Sequence, residues 1–146
     1  MDVLLFELAD SRYGLWLSCV REVTRAVRPL SLPGAPAVVL GVIQLHGEVV
    51  PVFDVRSRFG KPSRDAIPSD HLIIAKVRKR LVALAVDRVA GITDIPEAQL
   101  DDGRHLPRDL PRVAGLASLQ SGLVLIHELG AFLSQAEEAQ LDVALG

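Results

Sequence analysis

Apolar and polar residues alternate along most of the chain in short runs broken by turn residues, a pattern that predicts strands. Leu4, Phe6 and Leu8 alternate with Leu5 and Glu7, and Tyr13-Gly14-Leu15-Trp16-Leu17 follows the turn-like Asp10-Ser11-Arg12, so a hairpin is expected. Ser18 is placed to cap a short helical turn reaching Arg25, with Val20 and Val23 three apart on one face. Residues 29–36 read as an extended linker. Residues 41–45 and 48–54 form a second expected hairpin, turning at His46-Gly47. Pro51 cannot donate to a ladder, so an edge or a bulge is expected there. Residues 56–59 suit one helical turn, and 60–70, rich in Pro, Ser and Asp, a loop.

The second half repeats the outline. Residues 71–77 and 81–86 predict a hairpin around Arg78-Lys79-Arg80, and 89–95 a strand ended by Pro96. Residues 97–112 read as a long polar loop carrying Pro107 and Pro111. Residues 113–119 and 123–128 predict the last hairpin, turning at Gln120-Ser121-Gly122. A helical turn over 130–133 precedes Ser134 and Glu137, whose capping-box spacing opens a terminal helix to about Leu145.

The halves share more than an outline. Shifted by 74 positions, residues 41–59 overlay 115–133 without a gap: Gly41 meets Gly115, Leu45 Leu119, Val50 Val124, Val52 Ile126, and Asp54 Glu128. Shifted by 69, Leu15 meets Leu84, Leu17 Val86, Val20 Val89, and Val23 Ile92. The common hydrophobic register reads as a tandem duplication of a unit of about 70 residues, each a small barrel of short strands. The chain is then one domain, 1–146, with approximate halves 1–70 and 71–146.

Composition narrows the function classes. Of 146 residues 49% are hydrophobic, yet only six are aromatic; the apolar mass is 23 Leu, 18 Val and 7 Ile. Disorder is excluded, because disordered chains are poor in such residues. The longest stretch without Asp, Glu, Lys or Arg, residues 29–47, is interrupted by prolines and glycines and is no membrane span. Met1-Asp2-Val3 has no basic region, so no signal peptide is expected, and the single Cys19 rules out a disulfide framework. A net charge of −2 gives no footprint of a nucleic-acid partner.

Candidate chemistry is thin. Cys19, between Ser18 and Val20, reads as packing rather than as a nucleophile. His46, His71, His105 and His127 stand too far apart for metal-ligand spacing, and no nucleophile-elbow, P-loop or zinc-protease motif occurs. Asp54 and Glu128, equivalent under the repeat, suggest a shared structural role at a strand end. Arg78-Lys79-Arg80 reads as a solvated turn, and Arg21, Arg25 and Arg28 as one face of a helix. Trp16 is either the core of one side or an exposed anchor for a partner. No catalytic residue, metal site or cofactor is expected; the profile suits a binding module.

The order of motifs resembles the CheW family, the coupling proteins of bacterial chemotaxis, and the matching regulatory domain of the histidine kinase CheA. The matching segments are Leu5-Phe6-Glu7-Leu8 with Tyr13-Gly14, Val20-Arg21-Glu22-Val23, residues 41–55, 82–89 and 115–129, essentially the whole chain. Residues 41–55 are the most specific, because family members carry a G-V-x-N-L-R-G-x-x-V-P-V-x-D-L pattern there. The resemblance implies a mainly β fold of two pseudo-symmetric five-stranded SH3-like barrels with short helical turns and a C-terminal helix. It implies a non-enzymatic, cytoplasmic adaptor at membrane-associated receptor arrays. Its expected partners are a chemoreceptor's cytoplasmic tip and a CheA-type regulatory domain, with neither nucleic acid nor membrane insertion. Carried over residue by residue, Val20, Glu22, Gly41, Leu45 and His46 are the expected receptor- or kinase-binding positions. One departure stands out: the family's turn arginine is His46 here, which lacks the guanidinium fork. The alternative expectation is therefore a divergent module that binds receptor or scaffold partners without activating a kinase.

Overall fold

The computed structural model describes residues 1–101 and 113–146. Strands β1 (Asp2–Leu8) and β2 (Ser11–Trp16) form the first hairpin, and a 3-10 turn at Leu17–Cys19 leads into β3 (Val20–Arg25). The second hairpin is β4 (Val39–Leu45) with β5 (Glu48–Asp54), followed by helix α1 (Val55–Arg58). The third is β6 (His71–Val77) with β7 (Arg80–Val86), followed by β8 (Arg88–Asp94), a 3-10 turn at Glu97–Gln99 and the short β9 (Leu100–Asp101). The last is β10 (Val113–Leu119) with β11 (Gly122–His127), a 3-10 turn at Leu129–Ala131 and helix α2 (Gln135–Leu145). Of the long polar loop expected over 97–112, the part from 102 on lies outside the described residues.

Local chemistry accounts for the element ends. His46 and Gly47 have φ of 51° and 81°, the paired positive values of a two-residue hairpin turn that twists with its strands. Ser134 caps α2 in a full capping box with Glu137. Asp54 and Glu128 do share a role: the Asp54 carboxylate accepts from the Ser57 N–H at 3.2 Å and that of Glu128 from the Gly130 N–H at 3.3 Å, each capping the turn after its strand. Pro51 is buried within a sheet rather than at its edge. It is tolerated because β5 meets β7 only from Val52 to Asp54, so the missing donor falls before that ladder begins.

Two sheets result, ordered β8-β1-β2-β11-β10-β9 and β3-β6-β7-β5-β4, and they curl into two small SH3-like barrels. The sequence halves do not each make one. The central barrel takes β3 to β7, whereas the terminal barrel joins β1 and β2 to β8, β10 and β11, with β9 as a sixth strand. The two offsets nevertheless map one barrel's register onto the other's. The parallel pair Val52↔Ala83 becomes Ile126↔Gly14 when its members move by +74 and −69. The bulge between Val39 and Gly41 recurs between Val113 and Gly115. The bulge of β3 at Val20/Glu22 recurs in β8, where Val89 and Gly91 face Phe6 and Leu5.

Residues 20–25 are strand β3, not helix, so Arg21, Arg25 and Arg28 form no helical face. The bulge explains the misleading spacing: its extra residue sets Val20 opposite Ala75 and Val23 opposite Ile73, placing two apolar side chains three apart on one side of a strand.

Three apolar clusters form the core. Each barrel has a small interior: Val3, Leu5, Ile95, Ala117, Val124 and Ile126 in the terminal one, and Ile43, Val50, Val52, Leu72, Ile74 and Ala83 in the central one. The largest cluster lies between the barrels and includes Leu4, Phe6, Leu8, Leu15, Phe53, Ile73, Leu84, Phe132 and Leu141. Five of the six aromatic residues make a chain of ring contacts there, Phe6–Tyr13–Phe59 and Phe53–Phe132, linked through the ring of His127. Much of the aliphatic excess is thus consumed between the barrels.

Candidate partner-binding surface

The central barrel closes at one mouth through a polar contact. Strands β3 and β4 are the two ends of its sheet, and curling brings Glu22 of β3 to the turn after β4. There His46 Nε2 lies 2.9 Å from Glu22 Oε1, with side-chain exposures of 77% and 37%. An exposed pair of this kind contributes about 0–1 kcal/mol to stability. Its chemical value lies in what it displays: an imidazole and a carboxylate, fixed in relation to each other, at a protein surface.

The other expected positions sit around this corner differently. Leu45 packs against the central barrel's interior beneath the turn. Val20 faces the inter-barrel layer and Glu22 the opposite side, because the bulge between them reverses the strand's faces. Gly41 is buried at the far end of β4 with φ of 152°, where a Cβ would stand 2.3 Å from the Leu30 carbonyl oxygen. Gly41 thus lets the preceding linker lie across β4, where Leu30 bridges Val42 with two 2.8 Å hydrogen bonds. The structure therefore gathers Glu22, Leu45 and His46, keeps Val20 nearby on the reverse face, and sets Gly41 apart.

Sequence reasoning missed an apolar groove on the same barrel. Val27, Leu40 and Ile67, each about half exposed, line it with Pro29 and Pro68, and Leu30 projects beside it at 74% exposure. The only signal available was the run of prolines in two segments that read as loops. Trp16 proves half-buried, packed against the terminal barrel's interior while lining a shallow cleft with Met1, Asp2 and Leu17.

Charge pairs fasten the loop that forms one wall of the groove. Arg64 donates to both carboxylate oxygens of Asp70, at 2.8 and 2.7 Å, and to Asp87 at 2.8 Å. Arg56 also grips Asp87, at 3.2 and 2.5 Å. Burial pushes the Asp70 carboxyl up, but Arg64 and the Ile67 N–H outweigh it and hold the group below the usual aspartate value. Arg64 is correspondingly raised, chiefly by its hydrogen bond to Asp70.

Cys19 is half-buried against the inter-barrel core, and among the described residues no cluster of three His, Cys, Asp or Glu could hold a metal ion. Among those residues, too, no helix is long and apolar enough to cross a membrane. Arg78 and Arg80, read as part of a solvated turn, are instead engaged with α2 through Glu138 and Asp142.

A pair of fused barrels with a fixed polar corner and exposed apolar edges offers surfaces for partners, as a binding scaffold does. The chain belongs to the family of the CheW-like domain, whose model matches residues 2–137. It is similar to the probable chemotaxis protein CheW of Rhizobium etli, at 28% identity over 93% of this chain and 89% of that one. It is 28% identical to the chemotaxis protein CheW of Rhizobium meliloti, over 94% and 91% of the two chains. The crystal structure of the scaffolding protein TtCheW from Thermoanaerobacter tengcongensis superposes with a TM-score of 0.85 at 27% identity, covering 93% of this chain and 94% of that one. Membership makes the chain a chemotaxis adaptor and not an enzyme.

Proposed function

We propose that this adaptor joins a chemoreceptor's cytoplasmic tip to the regulatory domain of a CheA-type histidine kinase, in the cytoplasm at membrane-associated receptor arrays. The observation that carries the reading is the family match over residues 2–137. Val20, Glu22, Leu45 and His46 form the contact region for those partners, and Gly41, apart from them, acts by seating the linker across the far end of β4. An extended array of such contacts gains avidity without strong single contacts. The test is titration calorimetry of the full chain with a receptor tip and a kinase regulatory domain from its own operon. Stoichiometric binding to both is expected, and binding to neither overturns the reading.

A second reading is favoured by one observation, His46 in place of the family's arginine. The imidazole Nε2 pairs with the Glu22 carboxylate, which accepts, but the ring cannot offer two parallel donors to a partner. On this reading the module binds receptor and scaffold partners without activating a kinase. His46→Arg then raises kinase activity in a reconstituted receptor–kinase assembly by about tenfold, the equivalent of one charged hydrogen bond. Unchanged activity returns His46 to an ordinary turn residue.

A further inference from the structure

Helix α2 buries one side chain completely, Leu141, rests the partly buried Leu145 against the inter-barrel core, and is otherwise held by polar contacts, mostly between charges. Glu137 pairs with Arg58 at 2.6 Å; Glu138 accepts from Arg78 Nη1 at 2.7 and 2.9 Å; Asp142 is bonded to Arg80. The three arginines come from α1 and from the ends of the β6–β7 turn. Between α2 and that turn opens a cleft of about 360 Å³. Its floor is Phe53, Val82, Leu129 and Phe132, members of the inter-barrel core, and α2 supplies only Glu138 and Asp142 to its lining. Protein interiors are normally filled to crystal-like density. A helix held by one fully buried leucine, one partly buried leucine and three ion pairs, beside an apolar cleft it leaves open, is a poorly matched occupant.

We propose that this face is a helix-exchange site. Its resident is α2, and the incoming occupant is an acidic amphipathic helix of a partner protein. Charge complementarity selects that chemistry: α2 reaches Arg58, Arg78 and Arg80 with carboxylates at positions i, i+1 and i+5, and Lys79 adds a fourth cation to the rim. The open cleft selects a partner over a second copy of this chain, because another α2 would leave the same space unfilled. The partner's helix carries the acidic set and turns a larger apolar side chain into the cleft. This inference stands independently of the receptor and kinase assignment.

Two measurements test it. In hydrogen exchange on the intact chain, the α2 amides exchange at least about tenfold faster than those of β6 and β7, and faster again as salt rises from about 0.05 to about 0.5 M. Exchange as slow as in those strands overturns the proposal. The second measurement uses labelled peptides of residues 134–146, with the native sequence or with Leu145→Trp, which lies on the stripe of Glu138 and Asp142. The full chain carrying Glu138→Lys and Asp142→Lys, its fold checked by circular dichroism, binds the Trp peptide at least about tenfold more tightly than the unaltered chain does. Adding Arg78→Ala and Arg80→Ala removes the binding. No binding to the folded variant overturns the proposal. Native and Trp peptides binding equally, or dimers forming through α2, replace the partner's helix with a second copy.

Discussion

The two barrels share a register but differ in what they place at corresponding corners. Glu22 and His46, which meet at the mouth of the central barrel, correspond to Gly91 and Gln120 in the terminal barrel. There the turn is tied from a different strand, Arg12 of β2 donating to Ser121 at 2.9 Å. Apolar exposure, by contrast, is matched: Val23 and Ile92 are equivalent and both exposed, as are Val49 and Leu123. Register and bulges are thus common property of the scaffold, while the fixed pair of titratable groups is particular to one barrel. A surface that must tell partners apart gains more from that polar corner than from apolar edges present twice.

The comparison can be broken most severely at the layer both barrels share. Phe132 is 1% exposed, stacks on Phe53 at 4.9 Å between ring centroids and meets His127 edge-on at 5.3 Å. Phe132→Ala should cost about 3–5 kcal/mol, with both barrels still unfolding in one urea transition. Two separated transitions would show that the layer is no common core. Next comes a position where the barrels differ inside. Gly14 corresponds to Ala83, and a Cβ on Gly14 would stand 2.6 Å from Val3 Cγ1. Gly14→Ala should therefore cost about 1–3 kcal/mol in equilibrium unfolding, although the same residue sits comfortably in the central barrel.

A smaller effect tests the loop held by Arg64. The Asp70 carboxyl is depressed below its ordinary 3.8 in the folded chain. It therefore contributes stability that is full above about pH 4 and is lost as pH falls through the folded value. Asp70→Asn should lower stability by about 1–2 kcal/mol at pH 7 and flatten the loss that sets in below about pH 4, read from urea midpoints. The smallest effect on stability belongs to the polar corner. Glu22→Gln should change the unfolding free energy by less than about 1 kcal/mol while weakening partner binding severalfold by calorimetry, whereas Gln120→Ala at the equivalent turn of the terminal barrel should leave binding unchanged.

Much of this fold was legible as pattern. Turn residues marked all four hairpins, Ser134 and Glu137 marked the start of α2, and the offsets of 74 and 69 carry one barrel's parallel pair onto the other's. Two features were hidden for physical reasons. A bulge turns strand spacing into helical spacing, as Val20 and Val23 show, so period alone misassigned β3. Strands β1 and β6 bury residues on both faces, and alternation along a strand does not say which face meets the other barrel. The candidate site was legible only as separate residues. Glu22 and His46 are 24 positions apart and meet because the sheet curls its two end strands together, which no local spacing encodes.

The interleaving of strands also sets an order of events in time. The central barrel is one continuous stretch of chain, Val20 to Val86, whereas the terminal barrel needs Asp2–Trp16 together with strands that extend to His127. A ribosome therefore delivers β1 and β2 first, yet their barrel is completed last. Until β8, β10 and β11 emerge, the leading hairpin has no sheet of its own to join, and a two-stranded hairpin alone is at best marginally stable in water. Its apolar faces are then adhesive surface on the nascent chain. The residues that open the sequence wait longest for their place in the fold.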